Sequence, residues 1–389
     1  MFEHLDLYLI LVVAIGLGFM LGRRERARRR VRRISDLGRD YYQGINYLLD
    51  DRPDLAIDGF IDALPVGEAG IDAHLTLGAV VRRRGELDKA IRIHQNLLER
   101  PHLSAENRAL AELELARDYL GAGLLDRAEQ LLRELVDRGG ATDRVALEHL
   151  LEVYQRERDW SRAIEIATQI VRRGDREGRT ALAHFHCELA EQLRTQGDLA
   201  GALDRLDQAR QHDRTCPRIG LLRADLDLDA GQPERAREAL REVAQTTPGL
   251  AGEAIDPYAR ACNELEDPDE LASFLEQSLA AFSDSRVARA LAQHYEARDE
   301  LERAESLLTE QLATFPSISA LGALSAFQIR HGDATAVRHA SLIVEFADAA
   351  LAHRALYRCG SCGFAARRLM WQCPGCRKWG RFSYVADAF

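Results

Sequence analysis

No catalytic signature is written into this chain. It has no phosphate-cradling glycine loop, no Gly-x-Ser-x-Gly elbow, no His-Glu-x-x-His pair and no dinucleotide-binding glycine fingerprint. Paired carboxylates are abundant, but among 62 Asp and Glu residues their proximity identifies nothing. The chain therefore reads as non-catalytic. Positive charge is also in deficit: the formal net charge is −10, and setting aside one arginine-rich block at 23–33 leaves −17 for everything else. A body this acidic repels phosphate backbones and anionic headgroups, which excludes nucleic acid as a natural partner. Cysteine is scarce, with seven in 389 residues, yet four of the seven crowd into the last 31.

Those four, Cys359, Cys362, Cys373 and Cys376, form two Cys-x-x-Cys pairs. Each pair lies in a tight turn, Cys359-Gly-Ser-Cys362-Gly363 and Cys373-Pro-Gly-Cys376, where glycine and proline let the backbone curl until both sulfurs face one centre. The spacing predicts a closed four-sulfur metal knuckle. With every ligand position filled by protein, no place remains for a metal-bound water, so the ion holds structure. Two rival readings, paired disulfides and redox Cys-x-x-Cys motifs, require an oxidising compartment or a surrounding βαβ pattern, and neither condition is met. A segment of this size needs a metal to fold. Four sulfurs suit either zinc or a single iron.

Only one long apolar run exists, Leu7 to Gly22, and it is uncharged. It is short against the ~20 residues of a typical membrane-spanning helix, so Leu5 and interfacial neighbours are expected to contribute. A signal peptide would carry its positive charge before the apolar core. Here Glu3 and Asp6 precede the run, and Arg23, Arg24, Arg26, Arg28, Arg29, Arg30, Arg32 and Arg33 follow it. That order predicts a single-pass anchor at 1–22 and a basic juxtamembrane linker at 23–40, with the rest of the chain on the cytoplasmic side of the membrane. Cys187, Cys216 and Cys262 are then expected to be reduced and buried in helices.

Between 41 and 350 the chain repeats a unit of about 34 residues, the period of tetratricopeptide helix pairs. Ala56, Ala90, Ala128, Ala163, Ala202, Ala236 and Ala304 recur at intervals of 34, 38, 35, 39, 34 and 68 residues, each shortly after a turn. Twelve residues earlier stand Gly44, Gly78, Ala116, Ala190, Ala224 and Ala292, small where two helices approach closely, with Leu151 as the exception. The double interval places an atypical unit around Asp256–Phe282, and a last pair near Ser317–Ala350 is expected to cap the array. The fold class is thus all-α: a superhelical tetratricopeptide solenoid with an N-terminal transmembrane helix and a small C-terminal knuckle at 351–389. Such an array offers a concave surface to peptides or helices, and a second copy of the chain is a further candidate partner. The knuckle is locally basic, through Arg354, Arg358, Arg367, Arg368, Arg377, Lys378 and Arg381; its charge can face the membrane or the acidic helical body, and a basic cap docking on an acidic array is the simpler arrangement.

Two weaker patterns are set aside. Asp225-Leu-Asp227-Leu-Asp229-Ala-Gly231 lacks the glycine placement and the twelfth-position glutamate of a calcium loop, and it reads as a solvated helix end. His184-Phe-His186-Cys187 puts its histidines two apart on a helix, where they point in different directions.

The order of parts, an apolar run with an arginine block, a long array, then Cys359-Gly-Ser-Cys362-Gly363-Phe364 and Cys373-Pro-Gly-Cys376, resembles the lipopolysaccharide assembly protein B family of Gram-negative bacteria over essentially the whole chain. The resemblance implies an inner-membrane regulator that restrains lipopolysaccharide synthesis as an adaptor for the membrane protease FtsH, promoting degradation of the deacetylase LpxC. It also implies a rubredoxin-type module that binds iron through Cys359, Cys362, Cys373 and Cys376. One departure is Arg377, where rubredoxin has glycine. A general membrane-tethered scaffold for another envelope assembly shares the same anchor and array, and an electron carrier would require a redox-active iron in the knuckle.

Overall fold

A computed structural model of the chain describes residues 70–100, 103–174, 177–352 and 354–385. The expected anchor at 7–22, the arginine block, and the markers Gly44 and Ala56 lie outside these residues. Among the described residues no helix is long and apolar enough to cross a membrane.

The chain divides into two compact units, 1–153 and 154–389. In the first, α1 (Ile71–Arg83) pairs with α2 (Leu87–Leu98) and α3 (Ala105–Gly121) with α4 (Leu125–Arg138), and α2 packs on α3. Helix α5 (Asp143–Glu157) runs across the division. The second unit continues with α6 (Trp160–Arg172), α7 (Glu177–Thr195), α8 (Leu199–His212), α9 (Pro217–Asp229) and α10 (Pro233–Thr246). After a 3-10 turn at Pro248–Leu250 come α11 (Ala251–Glu264), α12 (Pro268–Ala281), α13 (Ser285–Ala297), α14 (Leu301–Thr314), α15 (Ile318–His331) and α16 (Ala334–Leu351). Three short strands follow: β1 (Tyr357–Cys359), β2 (Ala365–Ala366) and β3 (Phe382–Tyr384), ordered β2-β1-β3 and antiparallel.

One turn recurs within the helix pairs. Gly85, Gly123, Gly197 and Gly231 take left-handed φ, and the next N–H bonds back to a carbonyl five residues earlier, as from Glu86 to Val81 at 3.2 Å and Asp198 to Leu193 at 3.0 Å. This Schellman closure satisfies the last carbonyls of the first helix and reverses the chain into the second. Arg158, Glu266 and Asp299 fill the same place at φ 57°, 53° and 61° without glycine. Five residues beyond the left-handed residue stands the marker alanine. Ala90, Ala128, Ala163, Ala202, Ala236 and Ala304 are all fully buried, and so are or nearly are Gly78, Ala116, Ala190, Ala224 and Ala292. The contact is close enough that a Cβ on Gly78 would stand 2.4 Å from the His94 ring.

The same turn explains the double interval. Counting five from Glu266 places Leu271 where the other units carry alanine, so the unit is present as α11 and α12 but its marker is not. Tyr258 fills the local core by stacking on Phe274 at 3.8 Å, and its hydroxyl donates to Glu270 at 2.8 Å. The final helix α16 leaves Leu342 and Phe346 each 65% exposed, where a capping helix would carry a polar outer face.

The Asp225–Asp229 stretch is helical. Asp225 and Asp229 share Arg194, at 3.4 and 2.6 Å, and the buried Asp227 pairs with Arg223 at 3.6 Å, so all three carboxylates expected to be solvated form ion pairs.

Candidate metal centre and its seam with the helices

The knuckle is built from two copies of one local fold. In the first, the Cys359 N–H bonds to Phe364 O at 2.8 Å and the Gly363 N–H returns to Cys359 O at 2.9 Å. In the second, Cys373 N–H bonds to Lys378 O at 2.9 Å and Arg377 N–H returns to Cys373 O at 2.7 Å. Gly363 and Arg377 are therefore equivalent, and both are left-handed, at φ 77° and 58°. Arg377 keeps the left-handed backbone of its counterpart Gly363 and places a non-glycine residue where L side chains are strained.

These turns bring four thiols together. Cys359 and Cys376 sulfurs are 3.8 Å apart, Cys362 and Cys373 sulfurs 3.5 Å, and all four lie within 4.8 Å of one another. A tetrahedron with metal–sulfur bonds of ~2.3 Å has edges of about 3.8 Å, so the donor set and its size fit one four-coordinate ion. Burial pushes the Cys359 thiol up, but backbone N–H groups of Cys362 and Ser361 directed at its sulfur outweigh this and bring it down to about 6. A thiolate held in this way is ready to ligate.

The knuckle is seated on helices of its own unit through two aromatic patches. In one, the Arg286 guanidinium lies 4.0 Å from the Tyr384 ring centroid, donates to the Tyr357 hydroxyl at 2.6 Å, and pairs with Asp284 at 2.8 Å and Glu253 at 2.6 Å. Burial opposes the charge on Arg286, but the Asp284 carboxylate beside it prevails and its pKa is raised. The Tyr357 hydroxyl also donates to Glu253, and Leu250 and Phe282 complete the apolar contact. In the other patch, Trp379 is buried against Trp160, Phe185 and His184, with ring centroids at 6.1, 5.5 and 5.3 Å. Its indole N–H donates to Gln155 at 3.2 Å, and Gln372 reaches the same oxygen at 3.0 Å. Trp371 lies over His184 and beneath the Arg218 guanidinium, both at 5.8 Å. Gly380 meets His184 so closely that a Cβ would stand 2.8 Å from its Nε2.

This seam reverses the expected charge arrangement. Of the seven cations, Arg358, Arg367, Arg368, Arg377, Lys378 and Arg381 are exposed and Arg354 is half-buried, whereas the cations stacked on the module's aromatic rings, Arg218 and Arg286, belong to the helices. A guanidinium on an aromatic face keeps its charge while losing water, and the carboxylates nearby complete its pairing. Sequence reading also missed the seam residues themselves. A usable signal was present: all three tryptophans of the chain, Trp160, Trp371 and Trp379, lie in this contact. His184 and His186 point apart as expected, His184 into the seam and His186 onto His212 at 5.4 Å. Cys187, Cys216 and Cys262 are buried and free.

Residues 357–383 match the model of the rubredoxin metal binding domain, and residues 193–253 that of the tetratricopeptide repeat. Lipopolysaccharide assembly protein B of Escherichia coli strain K12 is 34% identical over 376 residues, covering 96% of both chains. The Haemophilus influenzae protein of the same name is 32% identical over 393 residues, covering 98% of both. The chain belongs to the lipopolysaccharide assembly protein B family. Among solved structures, this chain matches a Naa15/Naa10 complex bound to HypK-THB at 14% identity and TM-score 0.42, with 82% of this chain and 52% of that one covered. The C-terminal part of a tetratricopeptide protein from Cytophaga hutchinsonii matches at 14% identity and TM-score 0.38, covering 68% and 98%.

Proposed function

We propose that this chain is a non-catalytic inner-membrane adaptor that regulates lipopolysaccharide synthesis by presenting the deacetylase LpxC to the membrane protease FtsH. The observation that carries the reading is relatedness to lipopolysaccharide assembly protein B from end to end, 96–98% of each chain, so that array and knuckle are inherited together. In this reading residues 1–22 anchor the chain, 23–40 hold the inner leaflet, 41–350 form the binding array, and 351–389 the metal module. Cys359, Cys362, Cys373 and Cys376 hold one structural ion, iron by family resemblance. When bound, that ion supplies a rigid four-way cross-link. The residues around it do the rest: Trp379 and Tyr357 key the module onto the helices, and Arg286 and Gln155 satisfy the polar groups buried there. The tether raises the effective concentration of the array for other membrane-bound proteins.

The test is affinity capture of the membrane-extracted full-length protein beside a Cys359→Ser control, with mass spectrometry of what co-purifies. Recovery of FtsH and LpxC by the native protein, lost in the control, is the expected result. Recovery of a different envelope complex overturns it in favour of a general scaffold.

A further inference from the structure

Beneath the seam, and unused by it, lies a second group of sulfur atoms. Cys216 stands at the N-cap position of α9, whose Pro217 opens the helix, so its sulfur sits at the positive end of the helix dipole. The Nε2 of His184 is 3.8 Å from that sulfur. Cys187, on α7, lies in the same buried cluster as Cys216. Two buried donors nearby, Nε and Nη1 of Arg218, which is 2% exposed, have no hydrogen-bond partner, and neither does the buried Nδ1 of His184. Cys216 is also within reach from outside. It lines a cavity of about 350 Å³ between α8, α9 and α10, together with Arg210, Arg214, Arg223 and Arg235.

We propose that Cys216 is a site of oxidative modification by hydroperoxides, with Cys187 as the resolving thiol, the product being a Cys187–Cys216 disulfide that joins α7 to α9. The chemistry needs a thiolate at one sulfur and a proton-bearing thiol beside it. Cys187 and the imidazole of His184 hold the Cys216 thiol well below its usual value against the opposing effect of burial, while Cys216 and burial push Cys187 up. With hydrogen peroxide, the Cys216 sulfur attacks one oxygen. An S–O bond forms as the O–O bond breaks, and the departing hydroxide takes a proton and leaves as water. The Cys187 sulfur then attacks the sulfenic sulfur; an S–S bond forms, the S–O bond breaks, and the Cys187 proton leaves with the oxygen as a second water. Two thiols lose two electrons and one peroxide becomes two waters. Cys262, also buried and free, does not line that cavity and serves as the internal control.

The experiment uses the reduced, metal-loaded full-length protein. It is exposed to stoichiometric hydrogen peroxide, alkylated with iodoacetamide, and its cysteine peptides are quantified by mass spectrometry. Cys216 is expected to alkylate about tenfold or more faster than Cys262 at neutral pH. Peroxide is expected to convert the Cys187 and Cys216 peptides into a cross-linked pair while Cys262 stays alkylatable. A Cys187→Ser variant then accumulates Cys216 sulfenic acid, trapped by dimedone. Equal alkylation of Cys216 and Cys262, or peroxide oxidation confined to Cys359, Cys362, Cys373 and Cys376, overturns the proposal, as does absence of dimedone adduct at Cys216 in the variant.

Discussion

At the scale of single residues, the most exacting positions are those where backbone geometry and side chain disagree. Arg377 occupies a left-handed place, φ 58°, whose counterpart in the first knuckle is Gly363. Releasing a non-glycine residue from that region gains ~1–2 kcal/mol, and the looser unfolded chain of a glycine variant returns part of it. Arg377→Gly is therefore expected to stabilise the protein by about 0.5–1 kcal/mol, read as a rise in melting temperature of the knuckle transition. His186 supplies a second case. Burial, aided by the neighbouring His212, lowers its pKa from 6.5 to about 4. Because the folded group binds its proton less readily than the unfolded one, its stabilising contribution is complete above pH 6.5 and is lost as pH falls from there toward 4. A His186→Gln variant is expected to lose less melting temperature between pH 7 and pH 5 than the parent; a parallel fall in both would dismiss His186 as the source.

At the scale of elements, the contact between module and helices turns on Arg286. Removing it strands Asp284, 1% exposed, without its cation and takes the donor from Tyr357. Arg286→Met is expected to destabilise by about 3 kcal/mol, the cost of leaving a buried charge unpaired. Arg286→Lys recovers only part, since an ammonium cannot lie flat on Tyr384 while serving two carboxylates. Denaturant titration followed by tryptophan fluorescence measures both. How far such elements could be read beforehand depends on the reach of their signals. The helix pairs were legible through Ala90, Ala128 and their successors because a close crossing demands a small residue at a fixed period. The four thiols were legible because one ion needs them at short spacing. Leu271 breaks the alanine series while keeping the turn, so the unit of α11 and α12 shows in the sequence as an atypical unit around Asp256–Phe282, marked by a doubled interval. The turns at Arg158, Glu266 and Asp299 carried no glycine to announce them. The contact of Trp379 with Gln155, 224 residues apart in the chain, leaves no local pattern at all.

At the scale of the whole molecule, the fold of the module is expected to depend on the metal while the helices do not. Stripping the ion with a strong chelator, or substituting Cys359→Ser, removes the cross-link on which so small a fold depends. Helical circular dichroism is expected to persist while Trp371 and Trp379 become solvent-exposed and shift their emission to the red. Unshifted emission after verified metal loss would mean that the module holds its shape without the ion.

The seam has a further consequence. A stack of repeats is a spring: each coil is joined only to the next, so it bends, stretches and frays one coil at a time. The metal module touches that spring at Gln155, Trp160, His184, Arg218, Leu250 and Arg286, points spread over more than three repeat periods. It acts as a strut fastened across several coils at once. Within that span the pitch is no longer set by neighbouring helices alone, and whatever loosens the strut hands the spring back its compliance.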